Sequence, residues 1–154
     1  MLKHFLFIIL CFICFNVKAS FVLIPMDAES QKNHLKAYGI TYWVLDNGQK
    51  VQWLLNYRGG SFLIPDSERL RKECKIRGVS FEIVSDGQAE TILSEIDSPS
   101  KNQEAVLLEK APKIAVYTPT GKKPWDDAVT LVLTYAEIPY KTVYDVEVLN
   151  DELL

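Results

Sequence analysis

After residue 19 the chain alternates short apolar runs with longer segments of helical character, and this alternation constrains the fold more than any other feature. The apolar runs cover residues 21–25, 51–55, 61–64, 79–84, 113–117 and 141–144. A strand, a helix and a returning strand at this spacing are typical of a crossover between parallel strands. We therefore predict an open parallel α/β sheet of the flavodoxin or Rossmann type, with helices on both faces.

Capping residues and apolar stripes mark the helical segments. Asp27 is predicted to cap the first helix, because its carboxylate can accept the free N–H groups of a first turn. In that helix Leu35, Tyr38, Tyr42 and Leu45 fall at helical spacing on one face.

Later helices are predicted between residues 65–67 and Gly78, from Asp86 through Ile96, and from Pro124 to Pro139. The last of these is apolar almost all round. We therefore expect it to be buried on more than one side.

The N-terminus has the pattern of a secretory signal peptide. Lys3 precedes eleven apolar residues at 5–15, and the small residue Ala19 leads into Ser20. Eleven residues are too few to span a bilayer, which needs about 20 in a helix. We expect cleavage after Ala19, export to the periplasm or the exterior, and no stable membrane anchor after cleavage.

Charge and cysteine content exclude several classes of protein. The chain has 17 Lys and Arg against 20 Asp and Glu, and the leader removes two lysines and no acid, so the net charge falls from −3 to −5. A duplex nucleic-acid binder would carry a basic stripe, so we expect no nucleic-acid partner. Cys11 and Cys14 leave with the leader, which leaves Cys74 and excludes an internal disulfide framework.

Composition divides the mature chain in two. Residues 20–97 are predicted to form a first α/β unit, and the polar, aperiodic stretch within 98–112 is typical of a linker. Residues 113–154 then begin a second α/β unit of two strands and one apolar helix. Such a sheet is thin for so apolar a helix, so we expect the second unit to be truncated at its C-terminus.

The loop at residues 118–123 is the best candidate for ligand binding. Thr118, Thr120, Gly121 and Lys122 follow the carboxyl end of a predicted parallel strand, where open α/β sheets bind their ligands. Hydroxyl and ammonium groups there could hold an anion at the start of a helix. The acidic residues 126–127 already occupy that helix start, and the spacing differs from that of a phosphate-binding loop.

Other polar residues have both a functional and a structural interpretation. Asp27 follows the first strand and could contact a ligand, although helix capping also explains it. Arg58 could lie at a ligand edge, although the two glycines after it indicate a turn. Cys74 is predicted to be a buried structural thiol, and His34 a solvated surface residue. The sequence predicts no metal site and no cofactor, and it identifies no catalytic residue.

Five stretches of the chain resemble exported bacterial proteins often labelled asparagine synthetase B. They are His-Leu-Lys-Ala-Tyr-Gly-Ile at 34–40, Trp-Leu-Leu-Asn-Tyr-Arg-Gly-Gly-Ser-Phe at 53–62, and the segments 111–117, 124–129 and 135–140. The resemblance implies a longer protein whose later part has the α/β fold of class I glutamine amidotransferases. Any catalytic residues would then lie beyond Leu154.

Asparagine synthesis itself does not fit the residues. An asparagine synthetase of the B type needs a cysteine as its first mature residue and a Ser-Gly-Gly-x-Asp-Ser loop, whereas this chain would begin at Ser20 and has no such loop. Two hypotheses therefore follow. The chain is the N-terminal part of a glutamine amidotransferase-like protein, or it is a non-catalytic extracytoplasmic domain that binds a small molecule or an envelope partner.

Overall fold

A computed structural model describes residues 20–119, 121–122 and 127–150. The strands are β1 (Ser20–Ile24), β2 (Val51–Leu55), β3 (Ser61–Pro65), β4 (Glu82–Ser85), β5 (Glu104–Leu108), β6 (Ala115–Tyr117) and β7 (Lys141–Val143). The helices are α1 (His34–Asp46), α2 (Glu68–Ile76), α3 (Asp86–Ile96), α4 (Ala128–Ala136) and α5 (Asp145–Leu149). The predicted signal peptide, Thr120 and the helix start at Pro124 lie outside the described residues.

The main sheet has five strands in the order β4-β1-β3-β2-β5, and every neighbouring pair is antiparallel. The prediction of an open parallel, flavodoxin- or Rossmann-like sheet is therefore wrong. Strands β1 to β4 with α1 and α2 follow the order β-α-β-β-α-β, in which each helix joins two strands that have a third strand between them. This arrangement is the split βαβ, or ferredoxin-like, topology.

The turn between β2 and β3 explains why the parallel prediction failed. Asn56, Arg58, Gly59 and Gly60 all have positive φ, at 59°, 44°, 79° and 94°, which lets the chain reverse within residues 56–60. Strand β3 consequently returns beside β2, with Trp53 opposite Phe62 in the register, and separates β2 from β1.

The central strands β1 and β3 are buried on both faces because helices cover each face of the sheet. Helices α1 and α2 pack on one face, over a core that includes Val22, Ile40, Phe62 and Leu70. Helix α3 packs on the other face, where Leu23, Leu54, Leu63 and Ile96 meet. Continuous apolar strands, which are typical of parallel sheets, thus arise here in an antiparallel one.

Capping positions set the helix starts. Asp27 accepts a hydrogen bond from the Ser30 N–H at 2.9 Å in a turn, and α1 begins later, at His34, with Asn33 as its cap. The prediction that Asp27 caps this helix is therefore wrong. Helix α3 begins at Asp86 as predicted, behind a capping box formed by Ser85 and Gln88.

A buried glutamine joins the end of β1 to the approach of β4. The amide nitrogen of Gln31 donates to the carbonyl oxygens of Pro25 at 3.0 Å and Ser80 at 3.2 Å. Its amide oxygen accepts the N–H of Ser80 at 3.1 Å. The side chain is 3% exposed, and these bonds satisfy both polar ends of the buried amide.

Strand β5 lies within the segment interpreted as a linker. Residues Glu104–Leu108 pair with β2 along its whole length, from Val51 opposite Leu108 to Leu55 opposite Glu104. The main sheet therefore continues past residue 97 and ends at β5.

The C-terminal unit contains the parallel strand pair that its spacing predicts. Strands β6 and β7 pair in parallel around α4 and form a two-stranded sheet separate from the main one. Helix α4 packs against α1, where Gly39 meets the backbone of Ala136. Leu131 is 67% exposed, so the expectation that α4 is buried on more than one side does not hold within the described part of the chain.

Ion pairs and a hydrogen bond fasten α4 to the first unit. Glu137, directly after α4, pairs with Lys36 of α1 and with Arg77 at 3.2 Å. Asn33 donates to the Tyr135 hydroxyl at 3.0 Å. Across residues 20–119, 121–122 and 127–150, no helix has both the length and the apolar character needed to cross a bilayer.

Candidate functional site

A groove of about 650 Å³ that could hold a ligand lies beside α1 and the β2–β5 end of the main sheet. Its volume falls within the range of small-molecule sites. We call it the aromatic groove, and it is lined by Tyr38, Thr41, Tyr42, Leu45, Trp53, Phe62, Leu107, Leu108, Glu109, Lys110, Pro112, Ile114 and Ile138.

Helix α1 supplies one wall of the aromatic groove. Tyr38, Tyr42 and Leu45 stand at helical spacing, while Ala37, Ile40, Val44 and their neighbours on α1 enter the core. The predicted apolar stripe of this helix therefore lines the groove. Its first member, Leu35, is 37% exposed and lies outside the lining.

Strands β2 and β3 supply the aromatic floor. Trp53 stands opposite Phe62 in the register, and the two rings stack with centroids 6.2 Å apart and an interplanar angle of 23°. Tyr38 meets the same Phe62 ring edge-on, with centroids 5.7 Å apart. Aromatic pairs of both geometries are favourable beyond the area that they bury. Phe62 is 2% exposed and Tyr38 is 44% exposed, so the cluster runs from the core to the surface.

Few polar groups enter the groove, and most of them are already engaged. The Trp53 indole donates to the Gly60 carbonyl at 3.1 Å, and the Tyr42 hydroxyl donates to the Pro112 carbonyl at 3.0 Å. Burial raises the pKa of Tyr42, so its hydroxyl stays protonated at neutral pH. Glu109 is paired with Lys50. The arrangement suits binding of an apolar or aromatic face.

Two predicted ligand-binding residues, Asp27 and Arg58, come together as an ion pair. The Arg58 Nε donates to Asp27 at 3.1 Å, and Nη1 and Nη2 bind the two carboxylate oxygens of Glu82 at 3.0 and 2.8 Å. Nη2 also donates to the Ser30 hydroxyl at 3.0 Å. Four of the five N–H groups of the guanidinium are thereby occupied.

The same contacts set the charge states in this cluster. The hydrogen bonds to Glu82 raise the pKa of Arg58 above its ordinary value. Hydrogen bonds from Ser30, and then Arg58, lower the pKa of the Asp27 carboxyl. Gly59 allows the turn to approach β1, since a Cβ there would lie 2.4 Å from the Met26 carbonyl oxygen. The cluster ties the β2–β3 turn to the end of β1 and to β4.

The predicted binding loop after β6 is a separate place in the fold. Thr118 is 4% exposed and donates its N–H to the Val143 carbonyl at 2.8 Å, which continues the β6–β7 pairing. Gly121 and Lys122 are exposed, and the Lys122 N–H donates to the Pro119 carbonyl at 3.1 Å. Thr120 lies outside the described residues. No hydrogen bond or ion pair joins the described part of this loop to Asp27 or Arg58.

Cys74 and His34, the residues considered as nucleophile and base, have surroundings that are typical of structural roles. Cys74 lies on α2 and is 0% exposed in the hydrophobic core. Burial raises its pKa to about 12, which suppresses the reactive thiolate. The imidazole of His34 is half-buried and lies 3.1 Å from the Met26 carbonyl oxygen through Nε2, so it is less solvated than predicted. Among the described residues no group of three or more His, Cys, Asp or Glu could hold a metal ion.

The sequence pattern singles out Asp27 and Arg58 as ligand-binding candidates and does not predict the aromatic groove. Its only local signal is the tyrosine stripe of α1, because the other walls come from residues 53–62 and 107–114 and from Ile138. Comparison of the chain with protein-family models, curated proteins and solved structures found no match.

Proposed function

We propose that this chain is an exported, non-catalytic binding domain that holds a small molecule with an apolar or aromatic face in the aromatic groove. The observation that carries the proposal is the Tyr38–Phe62–Trp53 cluster at the side of a cavity of about 650 Å³. Concave, mostly apolar sites with a few polar groups at the rim are the usual form of a small-molecule site.

The surroundings of the reactive side chains support binding over catalysis. Cys74 is buried in the core, and the described residues bring no base within hydrogen-bond reach of it. Arg58 forms ion pairs with both Asp27 and Glu82. Export is part of the proposal on the strength of the leader pattern at residues 1–19.

A fluorescent apolar dye tests the groove directly. We expect 8-anilino-1-naphthalenesulfonate to bind the mature protein at one molecule per chain, with a change in tryptophan emission. Tyr38→Ala removes an exposed wall and should raise the dye Kd by about 3- to 10-fold, the equivalent of one aromatic contact. Tyr144→Ala is the matched control, because Tyr144 is 40% exposed and lies outside the groove.

Competition then identifies the class of ligand. Displacement of the dye by p-nitrophenyl glycosides would indicate a sugar site, and displacement by N-acetyl aromatic amino-acid amides a peptide site. Equal dye affinity for Tyr38→Ala and Tyr144→Ala, or binding of many dye molecules per chain, would contradict the proposal.

A second candidate function is that of the N-terminal part of a glutamine amidotransferase-like protein. The observation that favours it is the parallel β6–α4–β7 unit, which has the local form of an α/β amidotransferase sheet. On this hypothesis the nucleophile lies outside the present sequence. Glutaminase activity of a longer gene product should then persist after Cys74→Ala, and its loss in a folded variant would contradict this assignment.

A further inference from the structure

The C-terminal unit contributes part of the lining of the aromatic groove. Ile114, which precedes β6, and Ile138, which follows α4, both line the groove and are half-buried. We call these two side chains the C-terminal wall. The Lys141 N–H donates to the Ile114 carbonyl at 2.8 Å, beside the parallel pairing of β6 with β7. Most of the other lining residues belong to α1 and the main sheet, so the shape of the groove depends on where the C-terminal unit docks.

Glu137 lies between α4 and the C-terminal wall in a backbone conformation that glutamate rarely adopts. Its φ of 60° and ψ of 36° are in the left-handed region, where the end of a helix usually carries glycine. A side chain with a Cβ strains the backbone in this region. The contacts of the carboxylate give a physical reason for a glutamate at this position.

The Glu137 carboxylate contacts two cations of the first unit. One oxygen pairs with Lys36 of α1, and the other lies 3.2 Å from Nε of Arg77, directly after α2. The hydrogen bond from Lys36 lowers the pKa of Glu137, which keeps the carboxyl ionised at neutral pH. The side chains of Lys36 and Arg77 are only 16% and 11% exposed. Removal of the carboxylate would leave these two poorly hydrated cations close together, which is unfavourable.

The Lys36–Glu137 pair joins two walls of the groove. Lys36 lies two residues before Tyr38 on α1, and Glu137 lies directly before Ile138. Tyr38 and Ile138 both line the groove. The ion pair therefore sets the spacing between the α1 wall and the C-terminal wall, although neither charged residue belongs to the lining.

We propose that Glu137 is a positioning residue of the aromatic groove, whose ion pairs with Lys36 and Arg77 hold the C-terminal wall against the bound ligand. This inference rests on the proposed function, because it concerns the affinity of the same groove. A ligand bound between α1 and the C-terminal wall should in turn hold the C-terminal unit in its docked place, since coupling between two equilibria is reciprocal.

Neutralisation of Glu137 tests the positioning role on the mature protein. The probe is N-phenyl-1-naphthylamine, which is uncharged, so a change in the net charge of the protein has little effect on its binding. Glu137→Gln should raise the Kd of this probe about 3- to 10-fold, because two ion pairs are lost. Glu95→Gln is the matched control, since Glu95 pairs with Lys101 at 3.4 Å and lies outside the groove lining. Circular dichroism checks that both variants are folded.

Two further variants separate positioning from backbone effects. Glu137→Gly keeps a residue suited to the left-handed turn and removes the carboxylate, so it should also raise the probe Kd. Ile138→Ala removes part of the C-terminal wall directly. The double variant Glu137→Gln/Ile138→Ala should raise the Kd by less than the product of the two single effects, because Glu137 acts through Ile138.

Hydrogen exchange measures the reciprocal effect. Saturation with the probe should slow amide exchange in α4 and β7 of the unmodified protein, and should slow it less in Glu137→Gln. Equal Kd values for Glu137→Gln and Glu95→Gln, an unchanged Kd in Glu137→Gly, or independent effects in the double variant would overturn the positioning role alone. Probe binding that is insensitive to Tyr38→Ala would overturn the proposed function and this inference with it.

Discussion

Gly39→Ala tests the contact that joins the C-terminal unit to the main sheet. Gly39 lies on α1 where α4 crosses it, and a Cβ at this position would lie 1.8 Å from the carbonyl oxygen of Ala136. Real Cβ atoms essentially never come within 3.0 Å of such an atom, so the helices must separate by more than 1 Å. The obstructing atom belongs to the backbone and cannot rotate away.

Two opposing effects determine the change in the free energy of unfolding. Alanine stabilises a helix interior by about 1 kcal/mol relative to glycine. Overpacking costs about 1–3 kcal/mol, and here it also displaces Glu137 from Lys36 and Arg77. These ion pairs are partly exposed, so each contributes at most about 1 kcal/mol. We expect a net destabilisation of about 1–3 kcal/mol.

Urea unfolding and amide hydrogen exchange measure the effect and its location. Exchange should accelerate in α4 and β7, which depend on the contact, and change little in β1 and β3. Gly87→Ala in α3 is the matched control, since a Cβ there meets nothing within 4 Å, and it should be neutral or stabilising by up to about 1 kcal/mol. A Gly39→Ala protein as stable as the unmodified one would refute the close approach of the two helices.

Two further predictions concern ionisable groups. With its pKa near 12, Cys74 should have a thiolate-to-thiol ratio of roughly 10⁻⁴ at pH 8. It should react with Ellman's reagent only after unfolding, and rapid labelling of the native protein would contradict its burial. The pKa of Asp27 is lowered from 3.8, so its contribution to stability is present above that pH and is lost as the pH falls below it. The midpoint of thermal unfolding of Asp27→Asn should accordingly vary less between pH 5 and pH 3 than that of the unmodified protein, and identical curves would contradict the ion pair.

Local signals predicted the helices and strands well, because capping and periodicity are local properties. Asp86 marks the start of α3, and the alternation of turn residues with apolar runs places β1 to β4. The signals did not predict which strands pair. An apolar run reports burial on both faces, and helices on both faces of an antiparallel sheet produce the same run as a parallel sheet.

The site depends on contacts between distant residues, which no local pattern records. Asp27 is a candidate because it follows the first strand, and Arg58 because it could lie at a ligand edge. The partner that binds the guanidinium through Nη1 and Nη2 is Glu82, 24 residues further along the chain. The tyrosine stripe of α1 was visible as a face. Its role in the aromatic groove depends on Trp53 and Phe62, which β-sheet register places beneath it.

The hydrogen bonds of Gln31 bear on its deamidation and on which residues could replace it. Its side-chain amide donates to two carbonyl oxygens and accepts a hydrogen bond from the Ser80 N–H. A backbone peptide group in a β-strand would offer the same kinds of donor and acceptor. Deamidation to glutamate would replace the donating NH₂ with a second oxygen facing those carbonyls. Hydrogen-bond polarity and side-chain length thus favour glutamine at this position.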